Sequence, residues 1–259
     1  MSATALQMGG AEVSSIDDLL ALMHRRLAAF DAACDHRAAF LRVYATMTAS
    51  VRERSGQEFF IDRQWIERVA VRFAWWYFDA LDRYEQGATP PPAWAFAFDV
   101  ARRRQGFLLQ DILLGMNAHI NNDLPLVVAE ILRSESDEAP PERALRRRFD
   151  HDQINRVLHL VIPAVEDEVA RHYGRLVRPL GRVMGTLDQS LSTFGLRTWR
   201  DNVWRNATCL LSATTDAERA LVRRFIEDDA LHVARTIHDF PVLRGLRPLA
   251  PLMRRWRLC

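Results

Sequence analysis

The chain has 259 residues, 35 basic and 33 acidic side chains and a net charge of +2, and every non-histidine basic residue is arginine. The lack of lysine excludes Schiff-base chemistry, a pyridoxal-phosphate anchor and a phosphate-loop lysine, and the near-balanced charge gives no long-range field for nucleic acid or an anionic membrane. A hydrophobic content of 49% supports a sizeable core, and three cysteines without CxxC spacing suit a reduced, cytoplasmic chain.

Residues 1–15 carry neither the basic start nor the apolar run of a secretory leader, and are expected to be disordered. No apolar stretch is long enough to span a bilayer. A helix is predicted over 16–33, with Ser15 as N-cap and Asp17 and Asp18 in the first turn, and another over 36–55. In 62–86 the apolar stripe Trp65, Val69, Phe73, Trp76, Tyr77, Ala80 and Tyr84 has helical spacing and stops at Gly87. Pro90-Pro91-Pro92 is a stiff break before a helix over 93–104. Gly106 then leads into an apolar helix over 107–123, which Leu124-Pro125 should interrupt before a short helix over 126–133. Residues 134–141 read as a loop. A long helix is predicted from about 150 to 173 with a kink at Pro163, followed by helices near 176–189, 195–213 and 216–237. The last opens on the capping box Thr215–Glu218, and 240–259 form an extended tail rich in arginine and proline. Strand signals are nearly absent, with no Asn-Gly or Asp-Gly hairpin turn. The fold expected is one all-α domain, a bundle of eight or nine helices over 16–239.

The most informative stretch is Asn117-Ala118-His119-Ile120-Asn121-Asn122-Asp123, set in strongly apolar flanks. Asparagine and aspartate are poor helix formers and costly to bury without partners. His119 and Asp123 share a helix face at i,i+4 and can hold one ion or form an acid–base pair. Asn117, Asn121 and Asn122 would orient a substrate, and Gly115 would leave room for it one turn below His119. Asp123 sits where the helix dipole disfavours an acid, so it calls for a cation: a metal, a protonated histidine, or a guanidinium such as Arg72 or Arg200. The alternative is that these residues end a helix and His119 is an ordinary core residue.

A second polar group opens the long helix: His151 as a further metal ligand, Asp152 as a further catalytic acid and Asn155 as a substrate contact. Arg200 could stack on Trp204 or bind an anion. Trp76 and Tyr77, on the aromatic stripe, could wall an apolar pocket. No GxGxxG, GxSxG or HExxH arrangement occurs, nor the paired Glu-x-x-His of di-iron bundles.

Phe73-Ala74-Trp75-Trp76-Tyr77-Phe78-Asp79-Ala80, Leu114-Gly115-Met116-Asn117-Ala118-His119-Ile120-Asn121 with Asp123-Leu124, and Ile154-Asn155 together resemble an uncharacterised bacterial family of helical proteins. That resemblance spans roughly residues 15–240 and implies a helical cytosolic protein without an established activity. Leu114-Gly115-x-x-x-His119-x-x-x-Asp123 also resembles the metal-binding helix of the zinc-dependent phospholipase C and P1 nuclease group. That likeness implies His119 and Asp123 as metal ligands, although the group's next histidine is absent here.

Three functions are expected from these residues. The first is an enzyme acting on a small or lipid-like molecule in a buried pocket, a hydrolase or lyase using one divalent ion (Zn, Mg, Mn or Fe). The second is a metal-free cyclase, isomerase or dehydratase of specialised metabolism. The third is a non-catalytic binding or scaffold domain in which the cluster sets helix register. A small molecule is the expected partner, with no nucleic acid.

Overall fold

Residues 5–55, 59–105, 108–135, 141–173 and 199–239 are described by the structure, a computed structural model. The chain opens with a β-hairpin, β1 (Leu6–Met8) antiparallel to β2 (Ala11–Val13), where the sequence pattern leads one to expect disorder. Its turn is Gly9-Gly10, with φ of +54° and +76°. A two-residue type I′ turn needs positive φ at both positions, which only glycine adopts at no steric cost. Met8 and Val13 are buried, and the Gly9 N–H donates to the Asp82 carboxylate at 3.2 Å.

The cap predicted at Ser15 forms. In α1 (Ile16–Ala32) the Ser15 hydroxyl accepts from the Asp18 N–H, and the Asp18 carboxylate accepts from the Ser15 N–H. After α2 (Ala38–Ser55), Asp62 caps α3 (Arg63–Glu85) by accepting from the Trp65 N–H at 2.9 Å. Pro92 begins α4 (Pro92–Arg102), where its missing N–H has no helical partner to lose.

The central element departs from expectation. Leu108–Asn117 (α5), a π-helical turn at Ala118–Asp123 and Leu124–Ser134 (α6) form one continuous rod. Leu124 keeps right-handed helical angles although a proline follows it. Inside an α-helix the Pro125 ring would meet the carbonyl four residues back. The wider π turn absorbs that conflict: the Leu124 N–H bonds the carbonyl of His119, five residues back.

Helix α7 (Pro141–Tyr173) begins well before residue 150 and continues through Pro163. Its first turns are held by tertiary bonds. Arg147 donates to Glu135 and Asp62 and lies over the Trp65 ring, and Asp150 accepts from the Ile61 and Asp62 N–H groups. The described part of α8 covers 199–212, and α9 (Asp216–Asp239) starts on the expected Thr215–Glu218 box. The predicted helix near 176–189, most of the 134–141 loop and the 240–259 tail lie outside the described residues.

Hairpin aside, the described residues are helical and pack into a single body, the all-α class expected. The α5–α6 rod packs on α2, α3, α4 and α9 and is buried almost throughout from Gln110 to Ala129. Four apolar clusters border it, and Phe73 packs against three of them. Cys34 is disulfide-bonded, whereas Cys209 is free and exposed; the expectation of a fully reduced chain is corrected accordingly.

Candidate functional site: a buried histidine–aspartate dyad

The π turn carries the whole polar cluster into the core. Asp123 is fully buried and His119 is 2% exposed. Three donors surround the carboxylate: His119 Nδ1 at 3.1 Å and Trp94 Nε1 at 2.8 Å on Oδ2, and Asn122 Nδ2 at 2.8 Å on Oδ1. Because the rod continues through Leu124, Asp123 lies mid-rod and not in a last turn as the sequence suggests, and these bonds satisfy a buried acid rather than one opposed by a helix end. The cationic partners considered from sequence are engaged elsewhere: Arg72 pairs with Glu130 and lies over Trp75, and Arg200 donates to the backbone of His151.

Burial holds the His119 pKa below the usual 6.5, and the hydrogen bond to Asp123 only partly opposes this. The ring is therefore neutral at pH 7. A neutral imidazole has one N–H, and the carboxylate at Nδ1 fixes it there. Nε2 is then a lone pair, and it is buried without any partner. The ring sits in an aromatic cage. Phe73 stacks flat on it at 3.4 Å between centroids and 3° between planes, and Tyr44 meets it edge-on at 4.4 Å. Phe40, Trp94 and Tyr77 complete the walls at 5.7, 5.9 and 6.1 Å. Phe73 is half-buried, whereas the other four aromatics are buried. The Tyr77 hydroxyl is also buried without a partner, and desolvation raises its pKa so that it stays protonated.

Asn117 and Asn121 have structural bonds. Asn121 Nδ2 donates to Asn117 Oδ1 at 2.8 Å, and Asn117 Nδ2 donates to the Ala230 carbonyl at 2.8 Å, tying the rod to α9. Asn122 keeps an unpartnered Oδ1. Gly115 leaves no ligand space. A Cβ there would lie 2.6 Å from Phe40 Cδ2 and 2.7 Å from its Cβ, so the glycine admits the Phe40 ring.

The remaining sequence candidates gather elsewhere. His151 approaches the Arg200 carbonyl through Nε2 at 3.3 Å and packs against Trp204, and its pKa is driven well below the usual value by burial and then by Arg200. Asp152 pairs with Arg148 at 2.9 Å, and Asn155 has an unpartnered Oδ1. Arg148, not Arg200, lies over Trp204. Trp76 faces Arg223 rather than the cage. His119, Asp123 and His151 therefore do not assemble as one ligand set. No group of three or more His, Cys, Asp or Glu among the described residues is placed to hold a metal ion. Asp123 is bonded to His119 Nδ1 rather than placed beside it as a co-ligand.

Trp94, Phe40 and Tyr44 belong to the site and were not legible as such. Trp94 follows a proline break far from Asp123 in sequence, and only the packing of α4 on the rod joins them.

A family model described as a family of unknown function, DUF5995, matches residues 16–240. No curated protein and no solved structure matches the chain. Among the described residues no helix is long and apolar enough to cross a membrane.

Proposed function

The chain belongs to the DUF5995 family, and on the geometry of the buried dyad we propose that it is an enzyme moving a proton on a small molecule with a planar, apolar body. The observation that carries this reading is the unpartnered lone pair of His119 Nε2, on a ring whose other nitrogen is held by Asp123. An unsatisfied buried polar atom costs about 1–3 kcal/mol. Folded proteins rarely retain one without a use for it.

In the proposed step Nε2 takes a proton from a substrate C–H or O–H, and Asp123 stabilises the imidazolium that forms. The proton then returns to a different substrate atom, as in an isomerase, or to a departing hydroxyl, as in a dehydratase. Phe73 is the most exposed wall, so the substrate's planar body would take its stacking place on the imidazole. The metal-dependent alternative has weaker support. With Asp123 on Nδ1, only Nε2 remains as a ligand position, and the neighbouring walls are aromatic.

The test is incubation of the full chain with a metabolite extract, with and without a chelator, followed by mass spectrometry. A compound consumed by the wild type in chelator, with a bell-shaped pH profile, and spared by His119→Gln supports the reading. Equal conversion by His119→Gln refutes it.

A second reading has its own observation. The Asn121–Asn117–Ala230 bonds lock the rod to α9, as a register-setting network in a non-catalytic scaffold would. It predicts that Asp123→Asn lowers stability and that no small molecule perturbs the Phe73 ring.

A further inference from the structure

We propose that Arg200 anchors a second site, separate from the dyad, for the oxyanion group of a carboxylate- or phosphate-bearing small molecule where α7 meets α8. Arg200 lies on the buried stripe of α8 with Val203, Ala207 and Leu210, and is only 5% exposed. A guanidinium has five donors. The described residues give this one a single hydrogen bond, from Nη2 to the His151 carbonyl at 2.6 Å, and its Nε is buried without a partner.

Among the described residues no carboxylate pairs with it. Asp152 and Asp201 are the acids that act on it electrostatically, and Arg148 bridges both at 2.9 Å. His151 cannot supply negative charge, and its Nε2 must carry a proton to bond the Arg200 carbonyl. Burial lowers the Arg200 pKa only to about 10, so the group stays charged at neutral pH.

A buried cation without a direct counter-charge is costly. An oxyanion accepting from the Nε/Nη edge supplies both the charge and the fork geometry that guanidinium favours. Trp76, whose indole N–H is also buried without a partner, packs against the same apolar cluster as Val203 and Ala207. Trp199 and Trp204 border that cluster and offer aromatic surface to the body of the ligand.

The experiment is thermal unfolding of the full chain with inorganic phosphate or acetate, against sodium chloride at matched ionic strength, with the His151 ring followed by NMR. The expected result is a saturable rise in Tm, about 5–10 °C at a hundredfold excess over Kd, with a coincident His151 shift. A response to phosphate alone assigns a phosphoryl ligand, and a response to acetate alone a carboxylate. Arg200→Gln should fold without anion at least as stably as the wild type and lose the response. Arg200→Lys, which keeps the charge without the fork, should bind at least tenfold more weakly; if Arg200→Gln does not fold, this variant decides. No saturable response to either anion, a response retained in Arg200→Gln, or unchanged affinity in Arg200→Lys overturns the proposal.

Discussion

Gly115→Ala is the sharpest packing perturbation available beside the dyad. The added methyl would meet Phe40 Cδ2 at 2.6 Å and Cβ at 2.7 Å, where carbon atoms pack comfortably at about 3.5–4.0 Å. The ring must therefore retreat by about 1 Å. It has nowhere easy to go, because Phe40 is buried and in ring contact with Tyr44, Tyr77, Trp94 and His119. Overpacking of this kind costs about 1–3 kcal/mol, and a clash this deep belongs at the upper end. Alanine returns about 1 kcal/mol through its better helix propensity. The net loss is then about 2 kcal/mol, or a fall in Tm of about 4–8 °C for a chain of this size. Chemical denaturation with a fitted m-value measures it, and Phe40→Leu in the same chain should recover part of the loss. An alanine variant as stable as the wild type would refute the reasoning, and would restore Gly115 as open space beside a ligand.

Stability should depend on pH through two buried rings. The folded-state pKa of both His119 and His151 lies below the unfolded value of 6.5, so the unfolded chain binds protons first as pH falls. Their contribution is present above 6.5 and is lost as pH drops below it, at up to about 1.4 kcal/mol per pH unit for each ring. Tm should fall from pH 7.5 to 5.5, and His151→Gln should remove about half the slope; a flat profile contradicts the burial of both. Trp94→Phe deletes the indole donor to Asp123 and should cost about 1.5–3 kcal/mol, as for a bond to a charged group; an unchanged denaturation midpoint would show that the bond is not made. Unfolded, unreduced protein should expose fewer reactive thiols than the three found after reduction, since Cys34 is disulfide-bonded and Cys209 is free; three before reduction contradicts the bridge.

Much of the fold was legible because its signals are local. Ser15, Pro92 and Thr215 mark their helix starts through backbone chemistry that needs no distant partner. The hairpin signal was present in Gly9-Gly10 but is weaker than Asn-Gly. The π turn was not legible, because Leu124-Pro125 reads as a stop unless a wider turn absorbs the ring. The early start of α7 was hidden for a different reason: Arg147 and Asp150 are anchored by groups from distant parts of the chain. At the site, the pairing of His119 with Asp123 follows from their spacing. Trp94 as the second donor, and Phe40 in the space above Gly115, follow only from how α2 and α4 pack on the rod.

The central claim is that His119 is a neutral imidazole with its proton on Nδ1 and a free lone pair on Nε2. Nitrogen-15 NMR of the histidine rings, recorded between pH 5.5 and 8, tests it directly. The account predicts a protonated δ nitrogen coupled to Asp123 and an unprotonated ε nitrogen at pH 7, with any protonation on acidification setting in below the pH at which a free imidazole titrates. A proton on Nε2, or a ring charged at pH 7, would contradict it.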